Sequence, residues 1–112
     1  MKGMGLAGIV AAMAIALAAP AQAAPEHDYD TDFMNEIHQY GIYGAQDYDA
    51  WLAKITCERM RNGADADAHK SQAFILRNLP RGTTEGQSWQ FLGAAVGHYC
   101  PEQAPRVQAA GV

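Results

Sequence analysis

The chain has 112 residues and a formal net charge of −4, and its first 23 residues read as a removable export signal, leaving 89 for the mature protein. That length holds one small domain, too short for a Rossmann unit or a barrel enzyme. Loss of Lys2 takes the net charge to −5, so no nucleic-acid partner is expected, because phosphate binding needs an excess of Lys and Arg on one face.

The export reading rests on three adjoining features. Lys2 supplies a positive start, Leu6 to Ala19 is uncharged and apolar, and Ala21-Gln22-Ala23 after Pro20 supplies a small-x-small cleavage site. A membrane span needs roughly 20 apolar residues, and this run is shorter, so no stable anchor is expected after cleavage. Cleavage is expected after Ala23, since moving it one residue on would place Pro25 just beyond the cut. The absence of Cys near the site excludes a lipid-modified N-terminus. The mature protein is therefore expected outside the cytoplasmic membrane, secreted or held in the cell envelope.

The two cysteines, Cys57 and Cys100, fit that compartment, where an even count favours a bridge. No C-x-x-C occurs, so neither a redox motif nor a zinc knuckle is supported. His98 lies two positions from Cys100, on a different helical face, which argues against a Cys–His nucleophile.

In chain order, residues 24–30 are acidic and aperiodic and are expected to be mobile. A first helix is predicted from Asp32 to Tyr40, with Thr31 as N-cap, Phe33, Ile37 and Tyr40 on one stripe, and Gly41 as its stop. A second is predicted from Tyr48 to Asn62, capped by Asp47, with Tyr48, Trp51, Leu52, Ile55, Cys57 and Met60 on a wide apolar arc. A third is predicted from Ala66 to Asn78 with Asp65 as cap, ending at Leu79-Pro80. The fourth has a capping-box pattern at Thr84 to Gln87, then Trp89, Leu92, Val96 and Tyr99 in helical spacing, and ends at Cys100-Pro101. Residues 102–112 are polar, Ala-rich and Pro-containing, and are expected to form a flexible tail. The fold class is all-α, a small four-helix domain over residues 31–101 stapled by one disulfide.

The order D-x-x-F at Asp30 to Phe33, G-I-Y at Gly41 to Tyr43, C-x-x-x-x-x-G at Cys57 to Gly63 and Y-C-P at Tyr99 to Pro101 resembles the family called domain of unknown function 732. The resemblance covers about 70 of the 89 mature residues, with the paired Cys and terminal Y-C-P as its most specific part. It implies a small exported helical domain with a retained bridge, of a mainly mycobacterial family, and it implies no activity. Two departures are an extra aromatic, Tyr40, before the glycine of Gly41-Ile42-Tyr43, and Leu79-Pro80-Arg81-Gly82-Thr83 in place of a more polar linker.

Residues able to carry chemistry are few. His27 with Glu26, Asp28, Asp30 and Asp32 has ligand types for a divalent cation but no preformed geometry, and a solvated acidic segment explains it as well. Met34 and His38, four apart on the first helix near three tyrosines, have the types of a haem wall, or else flank the apolar stripe. His69 and His98 read as solvated surface residues. Glu36, Glu58 and Glu85 fall on different helices, and a carboxylate pair for hydrolysis needs a separation that sequence does not supply. No cofactor and no bound metal are expected.

Two functions from different classes remain. One is a non-enzymatic interaction or ligand-binding module whose partner is a protein or an apolar small molecule; the alternative is a small secreted hydrolase using a carboxylate or a histidine. For the first, the candidate contact residues are Ile42 and Tyr43, held between two glycines where one seals the core and the other projects outward. Such a contact face is expected to be aromatic and uncharged. The plainer possibility is that both residues simply cover the junction between helices.

Overall fold

The computed structural model describes residues 28–111, so the expected signal peptide and the start of the acidic segment lie outside the described residues. The described chain folds as α1 (Tyr29–Gln39), α2 (Gln46–Arg61), α3 (Ala68–Asn78), α4 (Glu85–Tyr99), a 3-10 turn (Pro101–Gln103) and α5 (Ala104–Ala109), with no strand among those residues. The expectation of an all-α domain stapled by one disulfide is met, and a short fifth helix is added to the four. None of these helices is long and apolar enough to cross a membrane.

The first helix starts earlier than predicted. Asp28 is its N-cap, with Oδ1 accepting from the Thr31 amide at 3.0 Å and Oδ2 from the Thr31 hydroxyl at 2.7 Å. An aspartate caps as well as a threonine and stands three residues upstream, so Asp28 to Asp30 are ordered rather than part of a mobile segment. Asp30 is also held from outside its helix, by the Tyr99 hydroxyl and by Lys54 Nζ at 3.2 Å. Phe33, Met34 and Ile37 are buried along the inner face.

The buried positions of α2 are Asp49, Ala50, Leu52, Ala53, Thr56, Cys57 and Met60, a stripe that begins at Asp49 rather than Tyr48. Tyr48 and Trp51, expected on the apolar arc, therefore fall on its flank and are 43% and 48% exposed, with their rings 5.7 Å apart. The expected cap Asp47 lies inside the first turn, where its charge complements the helix dipole, and the N-cap position is Ala45.

Asp67, not Asp65, caps α3, its Oδ1 accepting from the Lys70 amide at 3.1 Å. Asp65 is instead buried in the α2–α3 connection. It takes two hydrogen bonds from the Arg59 guanidinium, at 2.8 and 3.2 Å, and one from the Ser71 hydroxyl at 2.9 Å. A carboxylate removed from water needs several donors, and this one has them.

The capping box of α4 forms as predicted: Thr84 Oγ1 accepts from the Gln87 amide at 3.0 Å and Gln87 Oε1 from the Thr84 amide at 2.9 Å. This helix packs against all the others. Phe91, which the predicted stripe omits, is fully buried and meets Phe33 edge to face at 5.2 Å in the middle of the core. Gln72 and Ser88 hydrogen-bond at 2.6 Å within the α3–α4 interface.

The predicted bridge joins Cys57 to Cys100, with 5.8 Å between their Cα atoms and both residues buried. Beyond it the expected flexible tail is folded. Ala104, Val107 and Ala110 lie against the core, Arg61 Nε donates to Glu102 at 2.6 Å, and Arg106 Nη1 donates to the Asp65 carbonyl at 3.2 Å. Its apolar residues recur every third position but are small, so the segment is polar in composition while still having an inner face.

Cys57→Ser or Cys100→Ser is expected to lower stability by about 2–5 kcal/mol. Denaturant titration measures the loss, and the unreduced wild type should take up no alkylating reagent.

Candidate functional site

The end of α1 sets up the site. The Gly41 amide donates to the His38 carbonyl at 3.0 Å and the Ile42 amide to the Ile37 carbonyl at 3.1 Å, the paired bonds of a Schellman ending, with Gly41 at φ +80°. The reversal drives Ile42 into the core and leaves Tyr43 67% exposed, its ring 5.2 Å from that of His38. Facing this loop, buried Leu79 leads into a turn in which the Thr83 amide donates to the Pro80 carbonyl at 3.1 Å. Gln87 Nε2 donates to the Tyr40 carbonyl at 3.0 Å and ties the α3–α4 side to the α1–α2 side.

Two clefts open between these loops and share Tyr43 and Pro80. The first, about 350 Å³, is lined by Tyr43, Gly44, Tyr48, Asp49, Arg77 and Asn78, among others. The second, about 340 Å³, includes Gly41, Ile42, Arg81, Thr83 and Gln87. Tyr48 is fixed in the wall of the first by its hydroxyl, which donates to the Asn78 carbonyl at 2.7 Å.

Asp49 is the unusual group here. It is 2% exposed, and its Oδ2 is buried without a hydrogen-bond donor among the described residues. Burial raises its carboxyl pKa above the ordinary value, opposed by the nearby charge of His38. Gly44 makes room for it, since a Cβ at that position would stand 3.0 Å from Oδ2.

Of the sequence candidates, Ile42 and Tyr43 do lie on this surface, one turned in and one out. The face is aromatic but not uncharged, because Asp49, Arg77 and Arg81 join it. An aspartate at an inward position of the helical stripe, three and four residues before Leu52 and Ala53, was the signal available for Asp49.

The other candidates are placed elsewhere. Met34 is in the core and His38 is exposed, so they do not converge on one face. His98, expected to be solvated, is half-buried between Glu36, whose Oε1 lies 2.8 Å from its Nε2, and the ring edge of Phe33. Glu36 also accepts from the Tyr40 hydroxyl at 2.6 Å, which raises the Tyr40 pKa. Glu58 and Glu85 are exposed and belong to neither cleft. His69 packs edge-on to Trp89 at 5.2 Å. Among the described residues no group of three or more His, Cys, Asp or Glu is placed to hold a metal ion.

The profile of a protein family of unknown function, DUF732, matches residues 29–102. The chain belongs to the DUF732 family. Its relatives include the uncharacterized protein Rv0559c of Mycobacterium tuberculosis strain H37Rv, 60% identical over 113 residues, which cover 99% of this chain and 98% of that protein. The uncharacterized protein MT0585 of Mycobacterium tuberculosis strain CDC 1551 matches with the same identity and coverage. No solved structure matches the chain. The stretch matched to DUF732 contains both clefts and both cysteines.

The raised pKa of Asp49 makes a prediction with a definite sign. The native state holds this proton at pH values where the unfolded chain, with an ordinary carboxyl near about 3.9, has released it. Asp49 therefore opposes folding above that range, and the penalty fades as pH falls. Asp49→Asn is expected to be at least as stable as wild type at neutral pH, with the difference closing in acid. Urea denaturation of both proteins across a pH series checks it, and a variant clearly weaker at neutral pH would mean that the carboxylate has a structural partner.

Proposed function

We propose that this DUF732 protein is an exported, non-enzymatic binding module that acts outside the cytoplasmic membrane, with its ligand seated around Tyr43 at the loop end of the bundle. The observation that carries the reading is the position of Tyr43: a large aromatic side chain, two-thirds exposed, on a backbone locked by a Schellman ending, standing between two clefts. A rigid exposed aromatic beside concave surface offers contact area at little entropic cost. Export is supported by the N-terminal sequence around Lys2, Leu6 to Ala19 and Ala21 to Ala23, and by a bridge suited to an oxidising compartment.

The alternative of a small hydrolase has its natural centre in Glu36 and His98. Those two groups are engaged with each other, with Tyr40 and with Phe33, and neither lines a cleft described above. Binding is the reading that uses the concave surface the fold provides.

Two experiments test this. A fragment screen by amide chemical shift should give responses clustered on Gly41 to Asp49 and Asn78 to Thr83. Tyr43→Ala should abolish them while leaving stability within about 0.5 kcal/mol of wild type, as for an exposed position. Responses scattered over the surface would sink the site, and a stability loss of about 3 kcal/mol or more would mean that Tyr43 acts as a packing residue instead. For export, the intact mass of protein recovered outside the cells should correspond to a chain beginning at Ala24, and a mass retaining residues 1–23 would overturn that part.

A further inference from the structure

We infer that the first cleft is a recognition site for an organic ammonium group, with the Asp49 carboxylate as its anchor and the rings of Tyr43 and Tyr48 beside it; the inference rests on the binding reading above. Asp49 and Asp65 are equally buried, at 2% and 1% exposure, yet the fold treats them oppositely. Asp65 receives three hydrogen bonds, two of them from a guanidinium. Oδ2 of Asp49 receives none among the described residues. A buried carboxylate oxygen without a donor is costly, and Asp49 lines the first cleft, so its retention there points to a donor that arrives with a ligand.

The surroundings select the kind of donor. Tyr43 and Tyr48 are exposed and line the same cleft, and tyrosine faces attract a cation that also carries apolar surface. A divalent metal is disfavoured, since the cleft offers it a single carboxylate, short of the several oxygen ligands such an ion takes. Arg77 does not neutralise Asp49, because no ion pair joins them; its guanidinium carbon lies 5.9 Å from the centre of the Phe74 ring. One positive charge on a flat or apolar body fits what remains. A volume of about 350 Å³ sits at the small end of the range for ligand sites.

Three probes of similar size and different charge decide it: benzylamine, benzyl alcohol and benzoate, each titrated into the isotope-labelled protein at neutral pH. Benzylamine should shift the amide signals of Gly44, Asp49 and Asn78 saturably, with the alcohol and the benzoate at least about tenfold weaker, a difference of about 1.4 kcal/mol. Asp49→Asn should remove that preference. Equal binding of all three probes at these residues would overturn the ammonium site while leaving the binding reading in place, and benzylamine shifts confined to other surfaces would overturn it as well. If no compound of the wider fragment screen moves the signals of Gly41 to Asp49 or Asn78 to Thr83, the binding reading itself falls. The wild-type comparison stands alone should the variant fail to fold.

Discussion

The covalent tie between Cys57 and Cys100 fixes the end of α4 against the final third of α2, and the arrangement of the remaining helices follows from it. So small a domain has little core to spend on holding its shape. Closing a 43-residue separation is worth roughly 4 kcal/mol in the chain-entropy model, a large share of a small domain's total. With those two points joined, α4 is set as the central element on which the others pack. Phe91 then meets Phe33 across the middle, and Gln72 meets Ser88 across the α3–α4 interface.

The start of α1 meets the end of α4 through Asp30 and Tyr99, while the start of α2 meets the end of α3 through Tyr48 and Asn78, so the molecule has two unlike ends. At the bridged end the polar groups answer one another: Asp65 with Arg59 and Ser71, Arg61 with Glu102, and Tyr99 with Asp30. Burial and the Asp30 hydrogen bond push the Tyr99 phenol well above its ordinary pKa, so it remains a donor throughout the physiological range. The other end gathers the α1–α2 and α3–α4 loops, held together by Gln87 on the Tyr40 carbonyl. There the surface is concave, aromatic and incompletely satisfied. Binding and catalytic groups concentrate on loops carried by a rigid scaffold, and this division gives that rule a physical basis here.

What the sequence disclosed was local. The Gly41 stop with Ile42 beyond it, the Thr84 capping box and the cysteine pair depend on residues close in the chain or on compartment chemistry, and all three stand in the structure. Hidden from it were features decided by partners on other elements, which only the folding of the connections brings together. Asp65 looks like a cap until Arg59 and Ser71 are brought to it, and His98 looks solvated until α1 delivers Glu36. The segment after Pro101 lacks large apolar residues, so its inner face of Ala104, Val107 and Ala110 gives a weak periodic signal. At the clefts, a one-residue shift of helical phase decided the matter: counting the α2 stripe from Tyr48 rather than Asp49 buries the aromatics and exposes the carboxylate, the reverse of what the fold does.

That reversal has an energetic meaning. A helix start could have turned Tyr48 inward and Asp49 to water, gaining apolar burial and avoiding desolvation of a charge. Here the acid is inward and the rings are outward, and Gly44 leaves open the space that a Cβ would crowd against Oδ2. Each of these choices works against stability at that end, while the bridge at the far end adds to it. A small domain able to support such a site needs stabilisation that does not come from the site's own residues. The disulfide, the Asp65 cluster and the Phe33–Phe91 contact supply it from elsewhere in the fold, so the outward rings of Tyr43 and Tyr48 and the inward acid of Asp49 are tolerated.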